Sequence, residues 1–295
     1  MERNINRFLK TEVVYADYEN SGVDSYLKLK DFFINTLFDT VEKNTKCYFI
    51  TFSEKAINKY LLELLDELNI SYEIKKLKST SSEKTLLNLI EKLNNDDNIS
   101  AIWLEFENLP DKFNEFKIFS SINENKDVCG LNPLNRQKAI NAKDVKKEGF
   151  TSLVNPLIKT LEHMANNYDL GRSFFIESDN KKSNLKIAKF LMDYYIDKPS
   201  EISLSIGGSF SDTCYNATSF FIGLSSDLYP FVESGTASII IDASKLIDSD
   251  GNYEPGIKQF QKEIHLCTVR DGRSSFYDLV NLSIVDNIIM CSKLK

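Results

Sequence analysis

Only a few residues in this chain have a type and setting suited to chemistry. The thiol of Cys129, the carboxylate of Glu105 and the guanidinium pair Arg270 and Arg273 stand out. A cysteine attacks as its thiolate and needs a base beside it, and no histidine lies near Cys129 in the sequence, so a buried packing thiol is expected there. Glu105 ends the apolar run Ile102-Trp-Leu. A carboxylate in that place either holds an amide-bearing ligand or faces solvent. The run Thr268-Val-Arg-Asp-Gly-Arg-Ser-Ser275 makes a charged turn around Gly272, read either as solvated surface or as an anion-binding loop built from Arg270 and Arg273. The two histidines, His163 and His265, lie too far apart to write a histidine-based zinc motif, and no metal is expected.

Composition narrows the class. At 295 residues and 42% hydrophobic, the chain can bury a large core in one domain or, more readily, two. Thirty-six basic residues against 43 acidic ones give a net charge of −7, which argues against a phosphate-backbone binder, so no nucleic-acid partner is expected. Five scattered cysteines (Cys47, Cys129, Cys214, Cys267 and Cys291) form no C-x-x-C and read as reduced thiols. No apolar run approaches a membrane span, and the N-terminus lacks a secretory pattern. A cytoplasmic protein is expected, with an organelle left open.

Short apolar runs alternate with amphipathic stretches, the pattern of an α/β fold with mainly parallel sheets. Strands are expected at Lys46–Phe52, Tyr72–Leu77 and Ile99–Phe106. Apolar residues at 56, 57, 60, 61, 64, 65 and 68 predict a helix over Glu54–Asn69. Thr80-Ser-Ser-Glu83 has the spacing of a capping box and opens a second helix, with Leu86, Leu87, Ile90 and Leu93 on its buried face. In the second half a helix is expected over 153–168. A new sheet follows from Arg172–Ile176, Ile202–Ile206, Ser219–Gly223, Ser238–Asp242 and Ile264–Val269, with a helix capped by Ser183 and running to about Tyr195. A final helix over Ser275–Met290 closes back on the first lobe. The expected domains are 1–145 with the return of 275–295, and 146–274, as two lobes with a cleft between them.

Several strings carry a resemblance. Glu67-Leu-Asn-Ile70, Tyr72–Leu77, Leu86–Asn95, Ile102–Pro110 and Glu124-Asn-Lys-Asp-Val-Cys-Gly-Leu-Asn-Pro-Leu-Asn135 occur in order and at matching intervals. Together they resemble the methylenetetrahydrofolate dehydrogenase/cyclohydrolase (FolD-type) family, whose KDVDG signature and H-P-x-N turn align with Lys126–Asn135. The resemblance implies an N-terminal α/β substrate-type domain and a C-terminal Rossmann-like nucleotide domain, often in a homodimer.

The family's functional positions have changed. Its Y-x-x-x-K pair, whose spacing puts both groups on one helix face, falls on Ile57 and Leu61. Anchoring instead on Ser53 moves the pair to Ala56 and Tyr60. Neither register supplies the lysine, and an aliphatic chain cannot exchange a proton. Tyr26-Leu-Lys-Leu-Lys30 has the same spacing on the wrong element and reads as chance. Glu105 replaces a glutamine and Cys129 an aspartate. The resemblance aligns the phosphate turn G-R-S-x-x-V-G-x-P with Glu177-Ser-Asp-Asn-Lys-Lys-Ser-Asn-Leu185, without its glycines or arginine. Glu177, Ser178, Asp179 and Ser183 are therefore expected not to bind phosphate, and Lys181 and Lys182 read as an exposed basic loop. The P-C-T-P-x-G turn keeps only Pro156, and the lid keeps Val269 and Gly272, between Arg270 and Arg273.

The reading is a divergent, catalytically degenerate homologue with a scaffold, regulatory or altered ligand-binding role, and no cofactor. One alternative is an active NAD- or NADP-dependent dehydrogenase or cyclohydrolase whose rebuilt pocket uses Ser53, Tyr60, Glu105 and Cys129. Another is a non-catalytic partner of an active paralogue. A homodimer or paralogue partner and a small-molecule ligand are expected; a membrane is not.

Overall fold

The computed structural model describes residues 41–53, 57–141, 173–178, 201–206, 220–224, 239–243, 265–267, 269–270 and 273–294, with positions 185, 187–189 and 191–192. These fall in two compact units, one within Lys30–Asn155 and Val280–Lys295, the other within Pro156–Leu279.

The first unit runs β1 (Lys46–Thr51), α1 (Lys59–Glu67), β2 (Ser71–Lys76), α2 (Glu83–Asn94), β3 (Ala101–Leu104), α3 (Glu115–Ser121) and α4 (Pro133–Asn141). Its sheet has the order β2-β1-β3, all parallel. Central β1 reads as a near-continuous apolar run because both of its faces are covered, and Cys47, Phe49 and Ile50 are fully buried. Leu61, Leu64 and Leu65 of α1 and Leu86, Ile90 and Leu93 of α2 supply helical stripes to the core.

Two helix starts differ from expectation. α1 begins at Lys59, not at 54, because Asn58 is its N-cap: the extended backbone of Asn58 lets its Oδ1 accept from the Tyr60 amide at 2.8 Å. Ile57 therefore precedes the helix and shares no helix face with Leu61. The helix ends at Leu68, and Asn69 takes φ 53°, the left-handed conformation for which asparagine is the usual substitute for glycine. The cap of α2 is Ser82, whose Oγ accepts from the Thr85 amide at 3.1 Å, so the Thr80–Glu83 box does not form. Glu83 is occupied elsewhere, accepting from the Asn114 amide at 2.7 Å and from Lys117 Nζ at 3.1 Å at the start of α3.

The second unit carries a five-stranded parallel sheet. Its strands are β4 (Ser173–Ser178), β5 (Glu201–Ile206), β6 (Phe220–Gly223), β7 (Ile239–Asp242) and β8 (His265–Cys267), in the order β5-β4-β6-β7-β8. Placing β4 between β5 and β6 is the doubly wound arrangement of nucleotide-type domains. β9 (Val269–Arg270) and β10 (Arg273–Ser274) form a short antiparallel pair. The expected helix at 153–168, the Ser183 cap, Lys181 and Lys182, Ala56, and the Tyr26–Lys30 pair lie outside the described residues.

α5 (Ser275–Lys293) ends the chain, and the boundary between units falls within it, between Leu279 and Val280. In the first unit Val285, Ile288 and Ile289 are buried. In the second, the Tyr277 hydroxyl donates to the Ala243 carbonyl at 2.9 Å. Among the described residues no helix is long and apolar enough to cross a membrane.

Candidate functional site

In an open parallel sheet, ligands bind outside the carboxyl ends of the strands, where the strand order reverses. In the first unit the chain passes from β1 to β2 on one side and returns to β3 on the other, so that point lies between the ends of β1 and β3. Glu105 stands there, continuing β3 with its amide on the Ile50 carbonyl at 2.9 Å.

Its side chain does not face solvent, contrary to one of the two readings of the sequence. Glu105 is 1% exposed. One carboxylate oxygen, Oε2, accepts from the Thr51 hydroxyl at 2.6 Å, the Phe52 amide at 2.6 Å and the Ser53 amide at 3.1 Å. The other, Oε1, accepts from Asn108 Nδ2 at 2.5 Å. Charge-assisted bonds of this kind are the strong ones, and here they tie the β1–α1 loop to the end of β3. Thr51 and Asn108 were not anticipated as site residues. Only their positions, at a strand end and three residues past Glu105, could have suggested them.

The other candidates separate. Ser53 is half-buried and reaches the site through its backbone. Tyr60 is buried at 9% exposure, with Lys59 Nζ 5.0 Å from its ring centre. Leu61, at 2%, belongs to the core. Cys129 lies beside the end of β3 at 1% exposure, and its Sγ donates to the Leu104 carbonyl at 3.7 Å.

The signature around Cys129 does structural work. The Ile102 amide donates to the Lys126 carbonyl at 2.6 Å and the Val128 amide to the Ile102 carbonyl at 3.1 Å, so Lys126–Val128 lies along the outer edge of β3. Lys126 Nζ donates to the carbonyls of Leu93, Asn94 and Asp96, each at 2.9 Å. This places a cation on the orphan carbonyls at the end of α2. Gly130 takes φ 65°, which a residue with a Cβ adopts only at a cost. Asn132 opens α4 by accepting from the Leu134 amide at 2.9 Å, with Pro133 at the first helical position, so the Asn-Pro-Leu-Asn segment begins a helix and is not a free turn. Asp127 Oδ2 accepts from the Asn132 amide at 2.8 Å and Asn135 Nδ2 at 3.1 Å, while Oδ1 is buried without a hydrogen bond. Burial raises the Asp127 pKa against the downward pull of these donors. Burial, with the Asp127 charge nearby, also pushes up the Cys291 thiol, and burial raises Cys47.

Two open hollows lie at the opposite, amino end of the sheet. One of ≈ 440 Å³ is bordered by Lys126 and Cys291, the other of ≈ 550 Å³ by Lys46, Ser71 and Ser100. Neither occupies the strand-order reversal.

In the second unit the corresponding reversal lies between β4 and β6. Glu177 and Ser178 are strand residues there, not turn residues as expected. Glu177 pairs with Ser205 on one side and Gly223 on the other, and Ser178 with Ile206. Ser178 is 1% exposed. The first residue past β4 is thus Asp179, and no glycine occurs from Asp179 to Leu185 to let backbone approach a phosphate. These residues do not fit a dinucleotide held in the usual glycine-rich manner. Asp179, Ser183 and Gly272 lie outside the described residues; Arg270 and Arg273 are directly opposite each other in β9 and β10.

Residues 51–128 match the family model described as "Tetrahydrofolate dehydrogenase/cyclohydrolase, catalytic domain". The chain is a divergent member of the tetrahydrofolate dehydrogenase/cyclohydrolase family. Among relatives, the Bifunctional protein FolD of Staphylococcus carnosus is 39% identical over 70 residues, 24% of each chain, so the match spans about a quarter of that relative's length. The family fold extends further than the sequence match. The structure of FolD from Campylobacter jejuni gives a TM-score of 0.68 at 17% identity, covering 92% of this chain and 97% of that one. The Trypanosoma brucei enzyme, solved with NADP cofactor and inhibitor, gives 0.65 at 12% identity, covering 90% and 96%.

Proposed function

We propose that this family member is catalytically degenerate and serves a scaffold, regulatory or altered ligand-binding role. The observation that carries this reading is Leu61. The position aligned with the family's proton-transferring lysine holds an aliphatic side chain at 2% exposure, within the core. Such a group cannot act as acid or base.

Two further features support the reading. The Glu105 carboxylate at the strand-order reversal is taken up by Thr51, Phe52, Ser53 and Asn108. The Cys129 thiol, at the family's aspartate position, donates to a backbone carbonyl. The glycine-free run after β4 favours a chain that needs no NAD or NADP. Purified full-length protein is expected not to convert methylenetetrahydrofolate with either dinucleotide, and measurable turnover would overturn the proposal.

The polar cluster of Glu105, Asn108, Thr51 and Ser53 favours a second reading, an active enzyme with a rebuilt pocket. That reading requires folate to raise the melting temperature. If neither folates nor dinucleotides shift it at saturation, only the degenerate roles remain, including that of partner to an active paralogue.

A further inference from the structure

The free edge of the first unit's sheet is β2, Ser71-Tyr-Glu-Ile-Lys-Lys76, whose one strand neighbour among the described residues is β1. All of its residues but half-buried Tyr72 are exposed, and Ile74 is 46% exposed. A strand open in this way is a template for pairing, which proteins ordinarily discourage with charge. Here the charges are arranged so that they complement themselves.

Hydrogen bonding selects the register. The Ser71 and Leu77 amides donate to the Thr45 and Thr51 carbonyls of the neighbouring chain segment at 3.1 and 2.8 Å. Odd-numbered residues therefore turn their amides and carbonyls inward, and Tyr72, Ile74 and Lys76 present theirs at the open edge. Two copies of β2 meeting antiparallel must match even positions with even ones. Centring the pair on Glu73 sets Glu73 against itself; centring it on Lys75 sets Lys75 against itself. Both juxtapose like charges at the closely spaced, non-hydrogen-bonded positions, where they are destabilising. Centring it on Ile74 pairs Ile74 with Ile74, Tyr72 with Lys76 as hydrogen-bonded partners, and Glu73 with Lys75 at the close positions. Every charge then meets its opposite, twice, about a two-fold axis. Lys46, 2.5 Å from Glu73 on the adjacent strand, holds that carboxylate in place.

We propose that β2 is a self-recognition edge, through which two copies of this chain join their three-stranded sheets antiparallel about Ile74. The contact is small and belongs to the weak class of interfaces, so association is concentration-dependent. It does not depend on whether the protein is an enzyme.

Sedimentation equilibrium of the full chain, from about 1 to 100 µM, tests it. Wild type is expected to shift from monomer towards dimer across that range. Ile74→Pro removes an edge amide and should raise the dissociation constant about tenfold or more. Glu73→Lys and Lys75→Glu should each weaken the dimer, and the double exchange should restore it, which separates register from folding defects. Under mild oxidation Ile74→Cys should give a disulfide-linked dimer and Glu73→Cys should not, because only position 74 faces itself at a spacing a disulfide can close. A strictly monomeric wild type, a dimer indifferent to these changes, or a double exchange that fails to restore association would each overturn the proposal.

Discussion

Asn287 Nδ2 donates to the Val128 carbonyl at 2.8 Å, joining α5 to the signature segment across 159 positions of sequence. The bond fastens the edge of β3 to the end of the chain. Asn287→Ala should cost about 1–2 kcal/mol, one hydrogen bond plus a carbonyl left short of a partner. Urea denaturation would measure it, and an unchanged midpoint would show the bond to be dispensable.

Lys126 is the larger structural investment. Replacing it with Met keeps the apolar stem but leaves three carbonyls at the end of α2 without their donor. Bonds to charged groups contribute about 1.5–3 kcal/mol, so a loss of about 3 kcal/mol is expected in the same measurement.

Asp127 predicts a pH dependence. Burial raises its pKa above the ordinary 3.8, so the native state holds this proton more tightly than the unfolded chain does. The stability this proton linkage contributes is fully present below the unfolded value and is lost as pH rises through the folded one. Asp127→Asn should therefore gain on wild type as pH rises from about 4 to 7, because it carries no buried charge. Parallel stability–pH curves for the two proteins would contradict the assignment.

Glu105→Ala should cost about 2–4 kcal/mol, because the Phe52 and Ser53 amides lose their acceptor. Glu105→Gln keeps one carbonyl oxygen and should cost about 1 kcal/mol. Thermal or urea melts of both variants would check the ordering, and equal losses would argue against an acceptor role.

Cys47 and Cys291 should resist iodoacetamide in the native protein near pH 8 and react on unfolding, because burial raises both thiols. Mass mapping of the labelled peptides reads this out residue by residue.

The strands were legible in the sequence because buried parallel strands announce themselves as compact apolar runs. Lys46–Thr51 and Glu201–Ile206 fall within a residue or so of expectation. The start of α1 was not legible. Ile57 continues the apolar stripe, and nothing in the periodicity shows that the Asn58 side chain will take the helix's first amides. Glu105 illustrates the harder limit: its partners at Thr51, Phe52 and Ser53 lie more than 50 positions away and two of the three bonds are to backbone, which carries no sequence signal. Lys126 and Asp127 have the chemical types of ligand-binding residues, yet each is spent on a helix end.

The division of α5 between the two units bears on how the protein is made. Val285, Ile288 and Ile289 complete a core whose other walls are synthesised before residue 141. The first unit to leave the ribosome must therefore wait, with part of its apolar surface uncovered, until almost the whole polypeptide has been translated. During that interval it is exposed to misassembly and to chaperone capture, a hazard built into the order of the chain.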